Sequence, residues 1–235
     1  MLRMTSCVAM AWLLIAPLAA AAATALQLPP PDANTTMQSA PRYAQNNAIR
    51  TQPSGAPKYA QAQGPTKVYL LRGFLNVFSL GMDDIAAKLQ ASGISATVMN
   101  HADADFIASR ILTAYNAGDH GPIVLIGHSL GADAIVDVAD TLARYNIPVA
   151  LLVLFDGTEA HQIPVNVASA INYTKHFMIT PQFGSHSSIS NVDLSGDPAI
   201  DHLSIDTAPA LQTQTINYVL QASSAVPREP AQRRQ

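Results

Sequence analysis

Five residues near the middle of the chain, Gly127-His128-Ser129-Leu130-Gly131, have the types and spacing of a nucleophile on a tight turn. A serine with glycine two residues away on either side, between a buried strand and a helix, suits a turn that lifts its hydroxyl clear of the backbone. Gly127 and Gly131 lack a Cβ, so strand and helix can approach closely there. The turn also leaves the Leu130 amide at a helix N-terminus, able to donate to a developing oxyanion. A serine so presented would attack an acyl carbon, with a base to take its proton and an acid to orient the base. Holding it requires a strand over residues 123–126, Ile-Val-Leu-Ile, and a helix over 132–145.

The rest of the chain supplies such elements in alternation. Continuous apolar runs separated by helical patterns predict an α/β protein, a mostly parallel central sheet flanked by helices. Residues 67–72 read as the first strand, ending at Gly73. A helix over 82–92 carries Ile85, Ala86 and Leu89 on one face and stops at Gly93. Residues 94–99 are the second strand, and Asp103 caps a helix that closes at Gly118. Residues 149–155 form the strand after the serine helix. A short helix over 165–171, a fifth strand over 175–180 and a long loop over 181–201 follow. Pro209 opens the last helix, which carries Leu211, Ile216 and Val219. That makes five core strands and leaves no room for a large cap domain.

Candidate partners for the serine stand at the ends of these elements. Asp156 directly follows the strand 149–155, where a carboxylate can orient a histidine. Its other reading is a loop cap on the amides of Thr158 or Glu159. Asp193 and Asp197, in the long loop, are rival acids. Among the seven histidines, His202 lies just before the last helix, with His161, His176 and His186 as competitors. His101, at the C-terminal end of the second strand, either lines the site or makes a structural hydrogen bond. Arg72 either contacts an anionic substrate or fixes its loop through an ion pair. Asp133, Asp137 and Asp140 read as the solvated face of the serine helix.

The segment Gly-His-Ser-Leu-Gly-Ala at 127–132 resembles the lipases and esterases of the α/β-hydrolase superfamily, and the resemblance extends over residues 67–220. It implies a minimal version of that fold. It also implies an oxyanion hole from the Leu130 amide and the Phe74 amide, with Leu75 as the fallback. His202, between the last strand and the terminal helix, falls where the superfamily keeps its base. The order Ser129, Asp156, His202 is the superfamily's order of nucleophile, acid and base. One departure is Arg72 before Gly73, where the superfamily often has histidine. The implied chemistry is hydrolysis of a small-molecule carboxylic ester or thioester through an acyl-enzyme, with no metal and no organic cofactor. An acyltransferase with the same residues, or a non-catalytic binding protein on this scaffold, stays open at this point.

Composition agrees with a buried sheet: of 235 residues, 49% are apolar and 12% charged. A formal charge of −3 supplies no basic surface for nucleic acid. Residues 1–25 have the pattern of a secretory signal, with Arg3 before an apolar run and alanines at its end. Cleavage there leaves no stable membrane span and predicts a periplasmic or secreted protein, the alternative being an uncleaved anchor. The single cysteine, Cys7, lies in that segment. Residues 26–65 read as a disordered linker rich in Pro, Gln and Ala, 66–222 as the hydrolase domain and 223–235 as a polar tail.

Overall fold

The computed structural model of the protein describes residues 64–74 and 79–224. The leader, nearly all of the 26–65 segment, Leu75 and most of the tail lie outside the described residues. Six strands form one sheet: β1 (Lys67–Arg72), β2 (Ser95–Asn100), β3 (Ile123–His128), β4 (Leu151–Phe155), β6 (Ser169–Thr174) and β8 (Ser188–Asp193). Their spatial order is β2-β1-β3-β4-β6-β8, and each neighbouring pair is parallel. Two short strands, β5 (Gln162–Ile163) and β7 (Thr180–Pro181), pair beside it.

Strand alternation divides the core in two. Val68 and Leu70 of β1 pack with Met82, Ile85 and Leu89 of α1 (Leu80–Ala91) and with Leu211 and Val219 of α4 (Pro209–Ser224). Tyr69 and Leu71 pack with Ile107 and Ile111 of α2 (Ala104–Asn116) and with Ile135, Val138 and Leu142 of α3 (Leu130–Arg144). Helices therefore cover both faces of the sheet's centre, which is why residues 123–126 of β3 and 151–155 of β4 read as apolar runs. Burying one such leucine or isoleucine contributes about 1.5–3 kcal/mol, so the sheet edge that carries the site is firmly founded.

The sheet grows outward in both directions from β1 and β3. Their shared boundary is the point where successive connections run to opposite sides, and the crevice above it is where parallel sheets bind ligands. Gly73 follows β1 and Ser129 follows β3, so both stand at this point.

The C-terminal third differs from the sequence expectation. The fifth sheet strand is 169–174, not 175–180, and a sixth strand occupies 188–193 inside the predicted loop. Residues 165–171 do not form a helix. The β6 strand conceals itself with Asn172 and Thr174, polar residues that are nevertheless fully buried. Asn172 reconciles burial with polarity by donating to Phe177 O and to Asn191 Oδ1, each at 2.9 Å. The apolar Phe177 and Met178, which suggested a strand, are instead exposed.

Candidate active site

The turn at Ser129 has the strained geometry its sequence suggests. Ser129 takes φ 56° and ψ −128°, and the helix α3 starts at the next residue. A Cβ on Gly127 would lie 2.1 Å from the carbonyl oxygen of Gly131, and one on Gly131 would lie 2.1 Å from that of Leu71. Any side chain at either position would therefore force the turn apart. Non-glycine residues with such φ values cluster at functional sites, where surrounding structure holds them.

His202 and Asp156 complete a hydrogen-bonded line with this serine. His202 Nε2 lies 3.0 Å from Ser129 Oγ, and His202 Nδ1 lies 2.8 Å from Asp156 Oδ2. A carboxylate only accepts, so Nδ1 carries the hydrogen and Nε2 presents its lone pair to the serine hydroxyl. That is the tautomer able to take the hydroxyl proton. Asp156 is fully buried, whereas the His202 side chain is 36% exposed. Asp156 directly follows β4, has φ 46°, and accepts a second hydrogen bond from the Lys175 amide at 2.8 Å. Burial would raise its carboxyl. The bonds from His202 and Lys175, with the nearby His176 and His202 charges, outweigh burial and hold it at about 2.

The hydrogen bond to Asp156 raises His202 above the ordinary histidine value of 6.5, against the opposing pull of burial. The neutral imidazole is the form that can act as base. The acid limb of kcat/KM is therefore expected to have its midpoint above 6.5, with activity falling as pH drops through it. A pH–rate profile with its acid midpoint below that value would contradict this electrostatic reading.

Lys175 also anchors the loop that carries the histidine. Its Nζ donates to Asp197 O at 2.8 Å and to Ile200 O. A second histidine, His176, approaches the same carboxylate with Nδ1 at 3.2 and 3.3 Å, but its side chain is 57% exposed.

On the other side of the serine, Gly73 presses against the turn: a Cβ there would fall 2.9 Å from Ser129 Cβ. The Gly73 carbonyl faces His101 Nδ1 at 3.3 Å, so that nitrogen donates. In a planar trans peptide the N–H points opposite to the C=O. The Phe74 N–H is thus turned away from His101. His101 has the structural role of the two considered, and it sets the direction of the expected oxyanion donor. Leu130, as first residue of α3, has an amide with no acceptor inside the helix.

The remaining sequence candidates fall elsewhere. Asp193 accepts from the Ser195 amide at 2.8 Å and Asp197 from the Ala199 amide at 2.9 Å, so both cap their own turns. Arg72 forms a two-point ion pair with Asp83 on α1, the loop-fixing alternative. Asp103 does not cap α2 with its side chain. It accepts from the Asn100 amide, while Asn100 accepts from Ala102, closing a box on the short turn before the helix.

Sequence reasoning missed three residues. Asp133 is not on a solvated face: it accepts from the Thr158 amide and hydroxyl and from His161 Nε2 at 2.8 Å, pinning the loop after Asp156. That bond accounts for His161 as well. Its signal was weak, an aspartate among three on one helix. The others are His128 and Asp206.

Asp206 is fully buried against the first turn of α1, where a Cβ on Gly81 would meet its carboxyl carbon at 2.7 Å. Burial pushes its carboxyl up to about 7, more than the Gly81 amide pulls it down. The folded state thus keeps a proton that the unfolded chain releases near 3.8. Its contribution to stability is full below that value and is lost as pH rises through about 7. Asp206→Asn is therefore expected to gain on the wild type by roughly 4 kcal/mol between pH 4 and pH 8. Denaturant midpoints across that range measure it, and a constant difference would contradict it.

No protein-family profile and no curated protein matches the chain. Among solved structures it is similar to a candidate hydrolase of the alpha/beta superfamily from Xanthomonas campestris pv. campestris. That likeness has 16% identity, covers 70% of this chain and 100% of that one, and has a TM-score of 0.38. It is also similar to a cutinase-like protein from Cryptococcus sp., at 17% identity over 71% of this chain and 98% of that one, with a TM-score of 0.47. What defines the fold is the chain's own architecture. A six-stranded parallel sheet flanked by four helices, with the serine turn at its switch point, is a compact α/β-hydrolase arrangement. Among the described residues no helix is long and apolar enough to cross a membrane.

Proposed function

We propose that the protein is an exported serine hydrolase of carboxylic esters or thioesters. The observation that carries this reading is the line Asp156–His202–Ser129, with both hydrogen bonds at 3.0 Å or less and the histidine in the tautomer that leaves Nε2 free to accept. Ser129 attacks the acyl carbon while His202 takes its proton. Asp156 keeps the ring oriented and stabilises the imidazolium. The Leu130 and Phe74 amides receive the charge on the tetrahedral oxyanion, each donor being worth about 2.7–4 kcal/mol of barrier. His202 then protonates the leaving alcohol or thiol, and water, activated by the same ring, releases the acid. No step calls on a metal or organic cofactor.

The exposed apolar side chains of Phe74 and Leu203, each next in sequence to a site residue, support an acyl group with some apolar character. The leader pattern of residues 1–25 supports export. The test is hydrolysis of p-nitrophenyl esters of increasing chain length, with and without an added alcohol. Free acid as the dominant product supports the hydrolase. Acyl transfer to the alcohol ahead of water would replace it with an acyltransferase, and an inert protein would remove both.

A further inference from the structure

His128 is the buried histidine for which this mechanism has no use. Its ring is 1% exposed, and it sits one residue before the nucleophile. Nε2 lies 2.7 Å from the carbonyl oxygen of His202, and Nδ1 lies 2.8 Å from Ser79 Oγ. Ser79, also 1% exposed, accepts in turn from the Gly73 amide at 2.9 Å.

The directions of these bonds follow one from another. A carbonyl has only lone pairs, so Nε2 carries the hydrogen. Burial lowers His128 to about 4, so the ring is neutral near pH 7 and Nδ1 is bare. Ser79 must then donate its hydroxyl to Nδ1, which leaves its lone pairs for the Gly73 N–H. Asp206 Oδ2, at 3.8 Å from Nδ1, is too far to compete for that nitrogen. The result is a one-way chain: Gly73 N–H to Ser79, Ser79 O–H to His128, His128 N–H to the His202 carbonyl. Its ends are the loop expected to hold the oxyanion and the loop that holds the base.

We propose that His128 is a positioning residue that, through Ser79, locks the oxyanion loop and the base loop to each other across the serine turn. This rests on the serine-hydrolase reading. Cutting any link breaks the tie between the two loops, while Lys175 still holds the base loop at Asp197 and Ile200. The side chain takes no proton in the reaction, and its ring also packs against that of His202, with centroids 5.1 Å apart. It sets where the His202 ring and the Gly73–Phe74 peptide stand when the serine attacks, and a displacement of about 1 Å there can cost about 100-fold in rate.

The experiment is steady-state kinetics on a short p-nitrophenyl ester, beside the rate of labelling by a fluorophosphonate. The proteins are the wild type, Ser79→Ala, His128→Phe, the double variant and His128→Gln, each checked for a native thermal melt. Ser79→Ala and His128→Phe are expected to lose kcat by about 10- to 100-fold, with KM within about 3-fold and labelling slowed in parallel. The double variant should lose no more than about 3-fold beyond His128→Phe, because the links act as one unit. His128→Gln keeps a donor for the His202 carbonyl and should recover most of kcat. Should His128→Phe fail to fold, the comparison of Ser79→Ala with His128→Gln carries the same test.

Losses that multiply in the double variant, or a His128→Gln as slow as His128→Phe, would overturn the coupled role, as would wild-type kcat in the single variants. A wild type that neither hydrolyses nor labels would instead overturn the reading beneath it.

Discussion

Asp156→Asn is expected to lower kcat about 10⁴-fold, while Asp193→Asn leaves turnover at the wild-type level. The effect is large because of which atom carries a proton. Asp156 accepts from His202 Nδ1 at 2.8 Å and from the Lys175 amide at 2.8 Å. An asparagine can satisfy the Lys175 amide with its oxygen, and it tolerates the φ of 46° that this position requires. Its NH₂ group must then face His202. The ring responds by moving its hydrogen to Nε2, where it points at Ser129 Oγ and blocks proton abstraction. The fold survives and the chemistry does not. Asp193 is exposed, and its side chain holds the Ser195 amide. Turnover numbers for the two variants on one ester decide between the carboxylates, and the reverse ranking would make Asp193 the acid and overturn the role of Asp156.

The second large effect belongs to the nucleophile. Ser129→Ala is expected to cost on the order of 10⁶ in kcat, to the level left by the oxyanion donors and substrate binding. Alanine keeps the Cβ, so the packing against Gly73 and the start of α3 need not change. Binding of an unreactive ester analogue should persist within a few-fold. Retained turnover above that floor would mean that another group attacks the substrate.

Much of this site was legible in the sequence because the two kinds of signal it uses are local. The serine turn needs glycine at two fixed positions, and nothing but a Cβ clash is required to explain them. β4 is apolar from end to end and β3 is apolar up to Gly127, so their C-terminal tips, and with them Ser129 and Asp156, could be placed by inspection. His202 was placed by resemblance, at the superfamily's position for its base just before the last helix, with His161, His176 and His186 as competitors. What was not legible depends on partners distant in sequence. Asn172 looks like a strand breaker until Asn191 and the Phe177 carbonyl satisfy it inside the sheet. Asp133 looks solvated until Thr158 and His161 close over it, 25 and 28 residues away. His128 reads as a variable residue of the turn. Its meaning comes from Ser79 and His202, 49 and 74 residues off. Composition and periodicity report burial, and they do not report who satisfies a buried polar atom.

The most direct test of the central claim is to treat the folded protein with a fluorophosphonate probe and locate the adduct by peptide mass mapping. One equivalent of label is expected on Ser129, abolished in Ser129→Ala and strongly slowed in His202→Ala. Label on another residue, or none on a folded protein, would contradict the assignment of Ser129 as an activated nucleophile.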